Sequence, residues 1–174
     1  ALMSLPIMAR KRPFTIDDLM PGGSTYYAHS VPDNRYFTWW GDKCVEQAED
    51  ACVKYSDTGM KSDMFTLAQA NEAMREAGLK PLPHLYYATF PYADKTLALV
   101  PLADERILFD WTSHKVAWHV TLEHGAANED WDAKTRCTAY TLGHNLYVLT
   151  EEGKRMQVSQ DGSVDIVYGE AVHR

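Results

Sequence analysis

The sequence offers three cysteines and seven histidines as groups for covalent chemistry. Cys44 follows Trp39-Trp40-Gly41-Asp42, and Asp42 suits a helix N-cap. The sequence therefore predicts a helix over 43–55, with Cys44 in its first turn. A helix N-terminus favours the thiolate form of a cysteine. A cysteine nucleophile also needs a base within hydrogen-bond reach and a third group to orient that base. His119, on the polar face of a predicted strand, and His114, in the turn before it, are the candidate bases. Asp110 is the candidate orienting group. Such a set would make a cysteine-dependent hydrolase or acyltransferase. Asp42 works against it, because a neighbouring carboxylate opposes the thiolate.

A second kind of chemistry needs no aligned triad. The chain carries five tryptophans and ten tyrosines, which combine apolar area with a polar handle. Tyr36, Trp39, Trp40, Tyr86, Trp111, Trp118 and Tyr140 are the candidate ligand-binding residues of an aromatic-lined pocket or surface. A small soluble binding or interaction protein, taking a small molecule or a protein partner, is the leading expectation, and the cysteine enzyme is the alternative. His119, Glu123, His124, Asp130, Asp132 and His144 have the donor types of a metal site, but their spacing forms no ligand motif. No metal or cofactor is assigned. The Gly-rich nucleotide loop and the HExxH, CxxC and GxSxG patterns are absent.

Composition narrows the field. A formal net charge of −7 argues against a dedicated nucleic-acid binder, and Arg10-Lys11-Arg12 is the one basic cluster. Three widely spaced cysteines do not make a disulfide framework. No apolar run approaches the roughly 20 residues needed to span a bilayer. In the opening ALMSLPIMARKR the basic residues follow the apolar ones, the reverse of a secretory signal. A cytoplasmic protein is expected. A length of 174 residues suits a single domain, here 1–174 with an irregular, aromatic-rich segment over 1–41.

The positioning elements can be read in order. Thr15 and Asp18 have the spacing of a capping box for a short helical turn. The predicted helix over 43–55 has an apolar stripe of Val45, Ala48, Ala51, Cys52 and Tyr55, with Glu46, Gln47, Glu49 and Asp50 facing water. A second helix is predicted over 63–77, capped by Ser62 or Asp63, with Gly78 as its C′ residue. Short β-rich runs follow at 84–90, 96–100, 106–111, 115–122, 135–142, 146–150, 154–159 and 164–168, and 123–133 reads as an acidic loop. In the run 115–122, Val116, Trp118, Val120 and Leu122 point one way. Asp161-Gly162 has the chemistry of a hairpin turn. The expected class is α+β, with two N-terminal helices packed on one curved, mainly antiparallel sheet or partial barrel of seven to eight strands. Free sheet edges would allow a homodimer.

Residues 61–110 resemble, in layout alone, the bacterial transglutaminase-like cysteine peptidases. Asp110 in Phe109-Asp110-Trp111 matches that pattern. Lys61-Ser62-Asp63-Met64-Phe65 lacks the cysteine and Lys95-Thr96-Leu97-Ala98 lacks the histidine. The resemblance thus implies a related scaffold without that chemistry, and it does not make the chain a family member.

Overall fold

The computed structural model describes residues 15–26 and 35–169. The chain divides into two compact units, Ala1–Asn34 and Arg35–Arg174. In the first, helix α1 spans Ile16–Leu19. The Thr15 backbone N–H and hydroxyl donate to Asp18 Oδ2 at 2.7 and 2.9 Å, as the capping-box spacing predicts. The basic cluster at 10–12 lies outside the described residues.

Among the described residues, the second unit holds three separate antiparallel sheets. The first is β1 (Tyr36–Trp40), β2 (Lys43–Gln47), β3 (Ala51–Tyr55) and β4 (Lys61–Thr66). Helix α2 (Leu67–Glu76) follows it. The second is β5 (Leu97–Leu102), β6 (Glu105–Asp110) and β7 (Lys115–Thr121). The third is β8 (Ala127–Trp131), β9 (Thr138–Leu142), β10 (Asn145–Leu149) and β11 (Arg155–Gln157). Each sheet is a meander in which sequence neighbours pair. The class is α+β, but this arrangement overturns the expected single curved sheet or partial barrel with two N-terminal helices.

The largest departure is at 43–55, where a hairpin replaces the predicted helix. The apolar residues there fit both periods: Val45, Ala48, Ala51 and Cys52 mark a helical face, but Val45 and Gln47 also alternate with Cys44 and Glu46 as a strand does. Tertiary partners favour the strand. Val45 and Cys52 are fully buried on the inner face. The turn carbonyls of Glu49 and Asp50 accept from the backbone N–H groups of Leu85 at 3.0 Å and Leu67 at 2.7 Å. A helix would have used those carbonyls internally.

The second helix starts four residues later than predicted, because 61–66 forms β4. Thr66 is the true cap: its hydroxyl accepts from the Gln69 backbone N–H at 3.3 Å, and Gln69 Oε1 accepts from the Thr66 N–H at 2.9 Å. Gly78 follows the helix at φ +73, as its C′ reading requires.

Other boundaries shift as well. Within the expected run 84–90 the only β pairing is a bridge from Thr89 to Leu99. The acidic loop contains β8, and 164–168 forms no strand. Asp161-Gly162 makes no hairpin. Residues 158–168 instead fold back on the start of β10, where Val158 N–H donates to Leu146 O at 2.8 Å and Gly162 N–H to Asn145 Oδ1 at 2.9 Å. Gly162 is needed there because a Cβ would collide with the His144 carbonyl.

The first two sheets and α2 share one core. It includes Val45, Cys52, Phe65, Met74, Leu85, Val100, Ile107, Phe109 and Trp111. The third sheet closes a second, smaller core of Val120, Leu122, Tyr140, Tyr147 and Leu149. Among the described residues, no helix is long and apolar enough to cross a membrane.

Phe65 sits at the centre of the larger core, 2 % exposed, with its ring centroid 5.2 Å from that of Phe109 and 5.9 Å from that of Trp111. Phe65→Ala should cost about 3–5 kcal/mol of unfolding free energy. Urea denaturation followed by tryptophan fluorescence measures this, and a loss below about 1 kcal/mol would contradict the role given to this ring.

Candidate functional site

At one end of the first sheet, the β1–β2 turn and the β3–β4 connection border a cleft of about 510 Å³. Trp39, Asp42, Lys43, Cys44, Lys54 and Tyr55 are among its walls, with Ser56, Asp57 and Ser62. The register explains the grouping. Cys44 on β2 lies between Trp39 on β1 and Tyr55 on β3. Residues directly opposite in an antiparallel sheet present their side chains on the same face. Lys43 and Lys54 lie on the other face, with their Nζ atoms 5.2 and 5.6 Å from the centre of the Trp40 ring. Lys43 also pairs with Asp42 at 3.0 Å and holds that carboxyl below its usual range.

A charge network fixes one wall. Glu46 accepts from Arg35 Nε at 2.6 Å, Tyr55 Oη at 2.5 Å and Lys61 Nζ at 3.2 Å. Arg35 Nη2 donates to Tyr55 Oη at 2.6 Å. The guanidinium lies 4.9 Å from the centre of the Phe37 ring and Lys61 Nζ 5.4 Å from that of Tyr55. The hydrogen bond from Arg35 is the main cause that brings the Glu46 carboxyl from 4.5 to about 2, with Tyr55 and Lys61 adding to it against the cost of burial. Tyr55 is therefore a pinned ring at the edge of the cleft.

The candidate nucleophilic set is distributed over two sheets. Cys44 is a free, half-buried thiol on a strand, so no helix end acts on it. No described histidine lines its cleft. Asp110 ends β6 and accepts from Thr96 Oγ1 and Ser113 Oγ, each at 2.8 Å, and from the Thr112 N–H at 3.0 Å. Burial pushes its carboxyl up, but those hydrogen bonds outweigh it and hold the group below its usual range. His114 sits in the following turn at φ +55. His119 lies on the wetter face of β7, with Nδ1 3.7 Å from Glu105 Oε2. Among the described residues no three His, Cys, Asp or Glu side chains gather as a metal site would need.

The seven candidate aromatic residues are similarly spread. Trp39, 65 % exposed, lines the cleft. Tyr36 meets Tyr86 at 5.2 Å between ring centres, and Tyr86 Oη donates to Glu49 at 3.3 Å. Trp40 crosses Trp111 edge-on at 5.2 Å and donates Nε1–H to the carbonyls of Tyr92 and Lys95 at 3.0 and 3.1 Å. Trp111 and Tyr140 are core residues, and Tyr140 stacks on Tyr147 at 5.6 Å. Trp118 donates Nε1–H to the Glu151 carbonyl at 2.8 Å. The chain is thus an α+β fold with buried aromatic clusters, an arrangement consistent with a ligand-contact surface. Sequence reading missed the Arg35–Glu46–Tyr55–Lys61 network, because a helix over 43–55 separates residues that only strand register brings together.

No protein-family model matches the chain. It is similar to part of a solved structure of a longer protein. That structure is a Bacteroides ovatus ATCC 8483 protein provisionally named dipeptidyl aminopeptidase IV, with 29% sequence identity, a TM-score of 0.65 and 87% of this chain covered. The match takes in 21% of that protein, so the present chain spans about a fifth of its length.

The Glu46 network predicts an acid dependence. A carboxyl whose pKa is depressed on folding adds stability above its unfolded value and loses it as pH falls toward the folded one. For Glu46 the window runs from 4.5 down to about 2. Glu46→Gln should be less stable than the natural chain at pH 7, and the two should converge toward pH 2. Melting temperature against pH measures this, and parallel curves through the window would contradict it.

Proposed function

We propose that this chain is a peptide-contacting module of a larger protein of the dipeptidyl aminopeptidase kind, with the first-sheet cleft as a contact site. The observation that carries the reading is the similarity over 87% of this chain to a fifth of a protein whose provisional name denotes peptide substrates. The chemistry of the cleft supports it. The exposed Trp39 offers a flat apolar surface to a side chain. Asp42 and Asp57 offer carboxylates to a protonated amine at the end of the sheet. The module supplies contact and support, and no hydrolytic role is assigned to it.

Anisotropy of short peptides with a free amino end and a fluorophore at the other end tests the reading. Trp39→Ala should weaken binding about tenfold, as loss of an aromatic anchor does. Because Trp39 is largely exposed, the melting temperature should stay within a few degrees of the natural chain. Absence of binding by the natural chain, or equal binding by the variant, would defeat the proposal.

A second reading keeps Cys44 as a nucleophile with His119 or His114 as base. It is favoured by one observation, the half-buried thiol in the wall of the same cleft. Iodoacetamide labelling across pH, with the modified site located by mass spectrometry, separates the two. Rapid labelling of Cys44 below pH 7 that is lost in His119→Ala or in His114→Ala would support this second reading, and rates unchanged in both variants would end it. Under either reading Cys52 should label only on unfolding, because its side chain is fully buried and burial pushes its thiol up to about 12.

A further inference from the structure

A second cleft, of about 490 Å³, is bordered by Tyr92, Lys95, Ala133, Lys134, Arg136 and Glu151. Its walls come from the segment before β5, the β8–β9 connection and the β10–β11 turn. Three cations face one carboxylate here, in a chain whose net charge is −7. The carbonyl groups around it already have donors. Ala133 O accepts from Tyr92 Oη at 2.7 Å, and the carbonyls of Tyr92 and Lys95 accept from Trp40 Nε1. The wall thus presents N–H donors with few competing acceptors.

The donors are held in place. Lys95 Nζ lies 4.5 Å from the centre of the Tyr92 ring. Arg136 Nη1 donates to Glu151 Oε1 at 2.7 Å. A guanidinium carries five N–H donors, so Glu151 and a side-chain hydrogen bond with Tyr92 together leave others unused. The connection bearing Lys134 and Arg136 is tightly closed: Arg136 N–H donates to Asp132 O at 2.8 Å, Asp132 N–H to Cys137 O at 3.0 Å, and Thr135 N–H to Asp132 Oδ2 at 2.8 Å. Arg136 itself sits at φ +55, a conformation that a residue with a Cβ adopts at some cost. Strained residues of this sort recur at ligand clamps.

The geometry points to an oxyanion site in this cleft, with Arg136 giving a planar fork of donors and Lys95 and Lys134 giving point charges to a carboxylate or phosphate group. Planar recognition by arginine and point-charge recognition by lysine suit both oxyanions. The site is separate from the first-sheet cleft, so it stands or falls independently of the peptide-contact proposal.

The test uses the whole chain at constant ionic strength, titrated in separate arms with inorganic phosphate and with N-acetylglycine as a model carboxylate. Backbone amide chemical shifts follow the titration. Saturable shifts confined to residues around 92–95 and 133–136 are expected in at least one arm, and the arm that saturates tells phosphate from carboxylate. In the double variant Lys95→Ala, Lys134→Ala the affinity should fall about tenfold. Both lysines are exposed, so the melting temperature should not move. Shifts that stay linear in both arms, or an affinity unchanged in the double variant, would overturn the assignment.

Discussion

Packing around Trp111 is the contact on which the larger core depends. Phe65 stacks on its ring at 5.9 Å, while Phe90 and Trp40 meet it edge-on at 5.3 and 5.2 Å. Those rings come from β4, from the irregular segment before β5, and from β1. Trp111 itself follows β6. One indole therefore joins two meanders that share no backbone ladder. A three- or four-stranded meander buries only one face, and that face is stable only against another layer. The aromatic junction supplies that layer, and it also fixes the edge strand β1 that carries Trp39 to the first-sheet cleft.

Much of the local pairing is legible in the sequence. The alternation in 115–122 corresponds to β7, with Val116, Trp118 and Val120 on its drier face. The runs at 96–100 and 106–111 fall on β5 and β6, and 146–150 falls on β10. Antiparallel pairing of sequence neighbours follows from the short separators between them. The division into three sheets is not legible in the same way. Nothing local states that β4 leaves its neighbour for a helix, or that β7 and β8 belong to different ladders. The hairpin at 43–55 was hidden because its residues satisfy two periodicities, and contacts from Leu67 and Leu85 decide between them. The helix start was legible in principle, since Thr66-Leu67-Ala68-Gln69 carries a capping-box pattern, although Ser62 and Asp63 offered competing caps.

The chemistry of the candidate residues was easier to see than their company. Cys44 is readable as a thiol of interest from sequence alone. Its neighbours Trp39 and Tyr55 follow from register, which the sequence does not print. The same holds for Glu46, which looks like a solvated helix residue and is in fact the acceptor that holds Arg35, Tyr55 and Lys61 together. A cleft flanked by a pinned tyrosine, an exposed tryptophan and charges of both signs is better arranged for contact than a cysteine set divided between two sheets.

The separate small core of the third sheet has a consequence for how the molecule breathes. Tyr140, Tyr147, Val120, Leu122 and Leu149 form their own cluster, and the polar ties nearby include the Arg106–Glu129 ion pair and the Glu123–Arg155 pair at 2.5 Å. The Glu123–Arg155 pair is exposed, so it weakens with salt and adds little to cohesion, whereas the Arg106–Glu129 pair is largely shielded from solvent. Proteins open in cooperative pieces whose free energies follow the apolar burial of each piece. Val120 on β7 and Leu122 just beyond it belong to this core, and Trp118 donates to the Glu151 carbonyl and meets the Trp131 ring, so opening of the third sheet exposes the end of the second sheet as well, while the rings around Trp111 lie in the other core.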